Sequence, residues 1–328
     1  MCDTLFVIEN SVLSFRYLGV PVSKHVIVGA GPVGRETARL LAERGEEVVV
    51  VTRSGTASTA AGVRAVALDA TDGPALARVA DGAAALYNCA NPAYQRWATD
   101  WPPLAEAMLT AAERSGAVLA TVGNLYGYGA VAAPMTEATP LNPNSVKGGV
   151  RARMWQDALA RHEAGRIRAT EVRGSDYVGP GAESHLGDRL VPRLLAGRGV
   201  QVLRSADAPH SWTYTGDVAR LLVAVGADER AWGRAWHVPS NEPRTQREAV
   251  GDLARAAGVA PVKVGEIPAV MLRLLGLVNP VVREVREMAY QFERPFVLDS
   301  TAARRTFGLE PTPWDEVLAE VVAWYRSR

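Results

Sequence analysis

The sequence predicts an α/β fold, a Rossmann-type doubly wound parallel sheet with a smaller C-terminal substrate lobe, and three observations carry that expectation. From His25 onward, apolar runs of strand length alternate with amphipathic stretches of helix length, the βαβ rhythm of a parallel sheet. The first strand-to-helix junction holds a Gly-x-Gly-x-x-Gly loop, Gly29-Ala-Gly31-Pro-Val-Gly34. Beyond Gly179-Pro180 the texture changes to shorter pieces broken at Pro192, Pro209, Pro239, Pro243, Pro261 and further prolines.

Residues 1–24 read as an N-terminal extension. Leu5 to Val22 is interrupted by Glu9, Asn10, Ser14 and Arg16, too polar for a membrane span, and Asp3 stands where a secretory signal has basic residues. The strand His25–Val28 then leads into a helix at Val33–Arg44 and a second strand at Glu47–Val51. A third strand near Val63–Leu68, a short helix near Pro74–Ala80 and a fourth strand at Ala84–Asn88 follow. A helix is expected through Leu104–Arg114. A strand at Val118–Val122, a long Gly/Pro/Asn-rich loop, a helix at Ser145–Ala164 and a strand at Ile167–Arg173 complete six strands. The expected division is a dinucleotide-binding domain at 25–178 and a smaller lobe at 179–328, with 211–240 returning to the main sheet.

Composition narrows the function. Of 328 residues, 48% are hydrophobic and 22% charged, as in ordinary globular proteins. With 36 Lys+Arg against 35 Asp+Glu, nothing favours a nucleic-acid partner. Cys2 and Cys89 are too few for a disulfide framework, which suits a cytoplasmic protein. His185 and His210 have no Cys or carboxylate at metal-ligand spacing, so no metal is expected. Nucleophile-elbow, Walker and zincin motifs do not occur.

The glycine loop points to a dinucleotide. Gly29 permits the tight turn, Gly31 lets a pyrophosphate approach the backbone, and Gly34 lets helix and strand pack closely. Pro32 and Val33 open the helix, whose N-terminal N–H groups and dipole favour phosphate. After the second strand, an NAD site would carry Asp or Glu for the ribose 2′-hydroxyl, whereas this chain has Thr52, Arg53 and Ser54. A guanidinium with two hydroxyls suits a 2′-phosphate, so NADP is expected over NAD. Asp69, followed by Ala70, is placed to meet the adenine amino group.

With these residues in hand, the chain resembles the extended short-chain dehydrogenase/reductase superfamily of the nucleotide-sugar epimerase/dehydratase type over most of 25–328. The resemblance rests on the glycine loop and on Asp69-Ala-Thr-Asp72, Asn88-Cys-Ala90, Leu125-Tyr126-Gly127 and Thr136-Glu137-x-x-Pro140-x-x-Pro143. Further blocks are Arg173-Gly-Ser-Asp-Tyr-Val-Gly179-Pro180-Gly181, Tyr214-Thr-Gly-Asp217-Val-Ala219 and Phe307-Gly-Leu-Glu-Pro-Thr-Pro313. It implies that Cys89, Ala90 and Asn91 line the cofactor, and that catalysis uses a Tyr-x-x-x-Lys pair with an upstream hydroxyl. Counting from Pro143-Asn-Ser145 puts Lys147 at the tyrosine position and Arg151 at the lysine position, while the hydroxyl position falls at Val122, beside Thr121.

All three expected groups are thus altered. Lys147, crowded by Arg151 in an apolar pocket, would have a depressed pKa and could give up a proton. Tyr128 is the next candidate acid. Tyr94, Trp97, Asn124, Tyr177 and His185, with Trp101 and His210, are expected near a small-molecule substrate at the strand ends. The leading expectation is an NADP(H)-binding oxidoreductase acting on a carbonyl or hydroxyl. One alternative is an epimerase, dehydratase or cyclase acting on a sugar nucleotide or natural product without net redox, and another is a non-catalytic sensor or scaffold. The family implies a homodimer through the helices at 104–114 and 145–164; a monomer is equally compatible with their charge.

Overall fold

The computed structural model describes residues 22–56 and 62–328, so the expected extension at 1–24 lies outside the described residues except at its end. The first half alternates regularly: β1 (Lys24–Val28), α1 (Pro32–Glu43), β2 (Glu47–Thr52), β3 (Val63–Ala67), α2 (Gly73–Ala80), β4 (Ala83–Asn88), α3 (Trp97–Ser115), β5 (Val118–Asn124), α4 (Val146–Glu163) and β6 (Arg168–Gly174). There follow β7 (Asp176–Val178), α5 (Val191–Leu195), β8 (Val200–Leu203), β9 (Trp212–Tyr214), α6 (Thr215–Ala227) and β10 (Arg234–His237). The chain ends with α7 (Gln246–Ala256), β11 (Val264–Ile267), α8 (Ala269–Val278), α9 (Pro280–Met288), α10 (Thr301–Phe307) and α11 (Trp314–Arg326).

Seven parallel strands form the main sheet in the order β10-β6-β5-β4-β1-β2-β3. β1 pairs with β2 on one side and β4 on the other, so the winding reverses between β1 and β4, where open α/β sheets bind ligands. The all-valine centre of β2 follows from burial on both faces, since alternate residues enter opposite cores. Val49 and Val51 pack with Leu86, Trp101 and Met108 under α2, α3 and α4; Val48 and Val50 pack with Ile27, Tyr87 and Leu222 under α1 and α6. α6 and β10 take residues 215–237 back to this sheet. The later segments form their own core from Val191, Val202, Leu253, Phe292 and Val317, with the small parallel pairs β8–β11 and β7–β9.

One element departs from expectation. α3 begins at Trp97, not Leu104, and contains Pro102 and Pro103 in its second turn. The two carbonyls that these prolines leave without an N–H belong to Ala98 and Thr99, both exposed and able to bond water. Trp97 and Trp101, one turn apart, are both buried and anchor the segment as helix. Within one chain, α3 and α4, the helices expected to pair between copies, are joined by Arg161 to Glu106 at 2.7 Å and to Glu113 at 3.5 Å, and Arg166, just past the end of α4, reaches Glu113 at 2.7 Å.

Candidate active site

At the C-terminal ends of β1, β2 and β4 the backbone forms a cradle. Gly29 has φ +102°, and a Cβ there would lie 2.6 Å from the Cys89 carbonyl oxygen. A Cβ on residue 34 would lie 2.1 Å from the Gly29 carbonyl oxygen. Gly31 differs, because a Cβ on it would meet nothing within 4 Å. The outer glycines are therefore fixed by the protein packing on itself, and the middle one faces open space, as close approach of a ligand requires. α1 has Pro32 in its first turn, no side-chain cap and no acidic residue there, so its positive end is free to take phosphate. Val33 is half-buried and its carbonyl accepts from the Thr37 hydroxyl at 2.8 Å. Cys89 lies under the loop beside Thr37, where burial pushes its thiol up to about 12.

The turn after β2 holds no carboxylate. Arg53 is exposed, Thr52 donates its hydroxyl hydrogen to the Thr56 carbonyl at 3.0 Å, and the Ser54 and Thr56 hydroxyls share a hydrogen bond of 2.6 Å. Asp69 accepts from the Thr71 backbone and hydroxyl at 3.0 and 2.8 Å, bonds that hold its carboxyl below the usual range, with Arg53 adding to the effect. Ala70 and Ala90 are half-buried at the strand ends and Asn91 is exposed beyond β4.

Lys147 stands in the first turn of α4, a helix capped by Ser145, whose Oγ accepts from the Gly148 N–H at 2.9 Å. Its surroundings correct the expectation of an apolar pocket crowded by Arg151. Lys147 is only 2% exposed, and its ammonium donates to Glu284 and to Glu287, the latter at 2.7 Å, while lying 4.6 Å from the centre of the Tyr94 ring. Its backbone N–H donates to Glu287 at 3.1 Å. Two carboxylates of α9 thus surround the ammonium.

Arg151, one turn later, points into the core rather than toward the cleft. Its guanidinium lies between Trp97 and Trp101, 4.7 and 4.2 Å from the ring centres, and donates to the Val122 carbonyl at 3.0 Å. Burial pulls it below its ordinary range, with Glu171 opposing. Its Nε has no protein partner among the described residues, and Arg151 lines a void of about 20 Å³ edged also by Asn88, Thr121 and Glu171, enough for one water. Trp97, expected at the substrate, is instead a buried wall for this cation, its Nε1 donating to the Pro92 carbonyl at 3.0 Å.

Tyr128 is likewise corrected as a candidate acid. It is 1% exposed, accepts from Arg173 at 2.7 Å and hydrogen bonds His237 Nε2 at 2.8 Å. His237 Nδ1 donates to the Asp299 carbonyl at 2.9 Å, so Nε2 is the acceptor and the Tyr128 proton is committed to it. Asn124 turns inward to accept from the Tyr126 N–H at 3.1 Å, and the Tyr177 hydroxyl donates to the Gly123 carbonyl. Of the residues expected near substrate, Tyr94, Tyr177 and His185 are half-buried.

The sequence reading missed the groups that complete this end. Asp176 bonds His210 Nε2 at 2.7 Å through one oxygen, and its other oxygen lies 3.9 Å from His185 Nε2. Sequence spacing gave these histidines no carboxylate; the fold supplies one. Burial works to raise the Asp176 carboxyl, but the His210 hydrogen bond and the two imidazoles outweigh it and hold it low. The charge of Asp176 reaches the Tyr94, Tyr126 and Tyr290 phenols, which burial above all pushes upward; for Tyr94 and Tyr290 the neighbouring Tyr126 comes next, and this carboxylate adds to the effect in all three. The signals were Asp176 inside the Arg173–Gly181 block and two acids three residues apart, Glu284 and Glu287, on one helix face. Among the described residues, no cluster of His, Cys, Asp or Glu can hold a metal ion, and no helix is long and apolar enough to cross a membrane.

Comparison with known proteins agrees with this architecture. A profile of the NAD dependent epimerase/dehydratase family matches residues 25–238. No curated protein matches the sequence. Among solved structures, the chain is similar to DesIV, a dTDP-glucose 4,6-dehydratase from Streptomyces venezuelae with NAD bound, at 22% identity, 93% coverage of this chain, 97% of that one and a TM-score of 0.72. A UDP-glucose 4-epimerase from Thermotoga maritima, solved with UDP-glucose, is 17% identical over 93% of this chain and 99% of that one, with a TM-score of 0.76. An epimerase from Methanothermobacter thermautotrophicus is 17% identical over 93% of each chain, with a TM-score of 0.78. At these identities the likeness is one of fold.

Proposed function

The chain belongs to the NAD dependent epimerase/dehydratase family, and from that premise we propose that it is an enzyme that binds NADP(H) along the Gly29–Gly34 loop and oxidises or reduces a carbonyl or hydroxyl carbon of a small metabolite. The observation that carries the cofactor reading is the open space at Gly31, between two glycines that the protein's own backbone has closed, together with a turn after β2 that offers Arg53 and no carboxylate. Residues Gly29, Gly31, Pro32, Val33 and Gly34 would hold the pyrophosphate, Arg53 with Thr52 and Ser54 the 2′-phosphate, Asp69 and Ala70 the adenine side, and Cys89 to Asn91 the passage toward the nicotinamide. When bound, the dinucleotide supplies or takes up a hydride.

At the reacting end, Lys147 is the donor suited to a substrate oxygen, because an ammonium has three N–H bonds and Glu284 and Glu287 engage two. Arg151 is a positioning residue: by holding the Val122 carbonyl it fixes the end of β5. Asp176, with His185 and His210, supplies a second proton-handling group within electrostatic reach of Tyr94, the ring that Lys147 lies over.

The neighbours favour a second reading, epimerisation or dehydration with the dinucleotide returned to its starting state. Both readings share the cofactor site and differ in whether nicotinamide absorbance changes during turnover. The test is a calorimetric titration with NADPH, NADP, NADH and NAD on the wild type and Arg53→Ala. Binding of NADP(H) that falls about tenfold or more in the variant, with NADH unaffected, supports the reading. Preference for NADH refutes the NADP assignment, and binding of no dinucleotide sinks the enzyme reading as stated.

A further inference from the structure

We propose that α8 lies on the surface of a lipid bilayer that carries anionic headgroups, seating its outward apolar face in the interface without crossing it. This holds whatever cofactor and reaction the site serves.

Among the described residues, the exposed large hydrophobic side chains are Val22, Val146 and five that share α8: Val270, Met271, Leu274, Leu277 and Val278, between 49% and 83% exposed. These five stand at i, i+1, i+4, i+7 and i+8, which gathers them into one stripe about 120° wide on the helix surface. Leu272 and Gly276 lie on the opposite side and are buried, and a Cβ at Gly276 would lie 3.4 Å from the Arg283 Cα on α9. One face of α8 is thus seated on the protein, and the face turned to solvent, where an ordinary surface helix is polar, is apolar as well. With 10 residues α8 is about 15 Å long, half of the roughly 30 Å hydrocarbon thickness of a bilayer, so it fits in the interface and does not span it.

Charge decides the occupant. The segment 263–294 has four carboxylates, all with partners inside the protein: Glu266 accepts from the Ala206 N–H at 2.8 Å, Glu284 and Glu287 hold Lys147, and Glu293 pairs with Arg204 at 2.8 Å. Of its five cations, Arg283 has an acidic neighbour, Glu284 at 3.8 Å. Lys263, Arg273, Arg286 and Arg294 are exposed and make no ion pair among the described residues. Arg273 borders the stripe on α8 itself, and Arg286 stands one turn beyond Arg283, where α9 meets α8. Guanidinium groups beside an apolar stripe complement anionic headgroups above acyl chains. A second copy fits less well, because two-fold pairing of the stripe would bring both sets of arginines into one interface. The stripe also exposes only on the order of 500–600 Å², short of the roughly 800 Å² per partner that a stable dimer buries.

The test is co-sedimentation of the full chain with vesicles of phosphatidylcholine and phosphatidylglycerol in equal parts, and with vesicles of phosphatidylcholine alone, for the wild type, Leu277→Glu and Arg273→Glu. Both substituted side chains are exposed, and thermal melts show that the fold is kept. The expected result is wild-type binding to the mixed vesicles about tenfold or more stronger than to phosphatidylcholine alone, with a loss of about tenfold or more in each variant. Absence of binding to the mixed vesicles overturns the proposal, as does binding that either folded variant leaves unchanged. A concentration-dependent dimer in light scattering that Leu277→Glu dissolves, without vesicle binding, overturns it in favour of a second copy.

Discussion

Lys147 offers the sharpest test of how the two halves of the chain meet, through Lys147→Met. The substitution keeps a long unbranched side chain and removes only the ammonium, which is buried while its partners Glu284 and Glu287 are each 22% exposed. Removing one member of a buried ion pair typically costs about 3–5 kcal/mol because the remaining charge is stranded. Both carboxylates retain some contact with water, and the Lys147 backbone N–H still serves Glu287, so a loss of about 2–3 kcal/mol is expected. The assay is urea unfolding at neutral pH, combined with limited proteolysis to ask whether cleavage concentrates around α8 and α9. Lys147→Met/Glu284→Gln/Glu287→Gln should recover most of the loss, because it strands no charge. If Lys147→Met matches the wild type within about 0.5 kcal/mol, or the triple variant is no better than the single, the ion-pair argument is wrong.

Three other outcomes follow from the geometry. Gly31→Ala should leave melting unchanged and weaken dinucleotide binding about tenfold or more, whereas Gly34→Ala, whose Cβ would meet the Gly29 carbonyl oxygen at 2.1 Å, should destabilise the fold itself; calorimetry and thermal melts separate the two. His237 is held neutral by burial, its pKa lowered from 6.5 to about 4, so its contribution is present above pH 6.5 and is lost as pH falls through about 4. The native state should lose about 3 kcal/mol from this group across that window, and a His237→Gln variant whose stability falls just as steeply over that range would contradict the assignment. Cys89, buried with its thiol pushed up to about 12, should resist thiol reagents at neutral pH until urea unfolds the chain; equal native thiol counts for wild type and Cys89→Ala check this.

What could be read in the sequence was what neighbouring residues dictate among themselves. The valines of β2 and the glycine spacing after β1 are local patterns with local causes, and the strand sequence followed from them. The helix expected from Leu104 starts at Trp97, because buried Trp97 and Trp101 anchor it across Pro102 and Pro103, whose two freed carbonyls have solvent available. The site shows the same division more strongly. Counting located Lys147 and Arg151 on α4, but their surroundings come from elements far along the chain: Glu284 lies 137 residues from Lys147, and His237 lies 109 residues from Tyr128. An arginine at a core position of α4 required faces for its guanidinium, and the indoles that sequence order assigned to the substrate meet that need. A tyrosine immediately after a family block had its proton claimed by a histidine on the edge strand β10, two strands away from β5. The lysine that counting put at the family's phenol position is met by two carboxylates from α9, Glu284 and Glu287, while Asp176 of β7 is bonded to His210, so the charges around it come from segments that the local pattern at 143–151 could not announce.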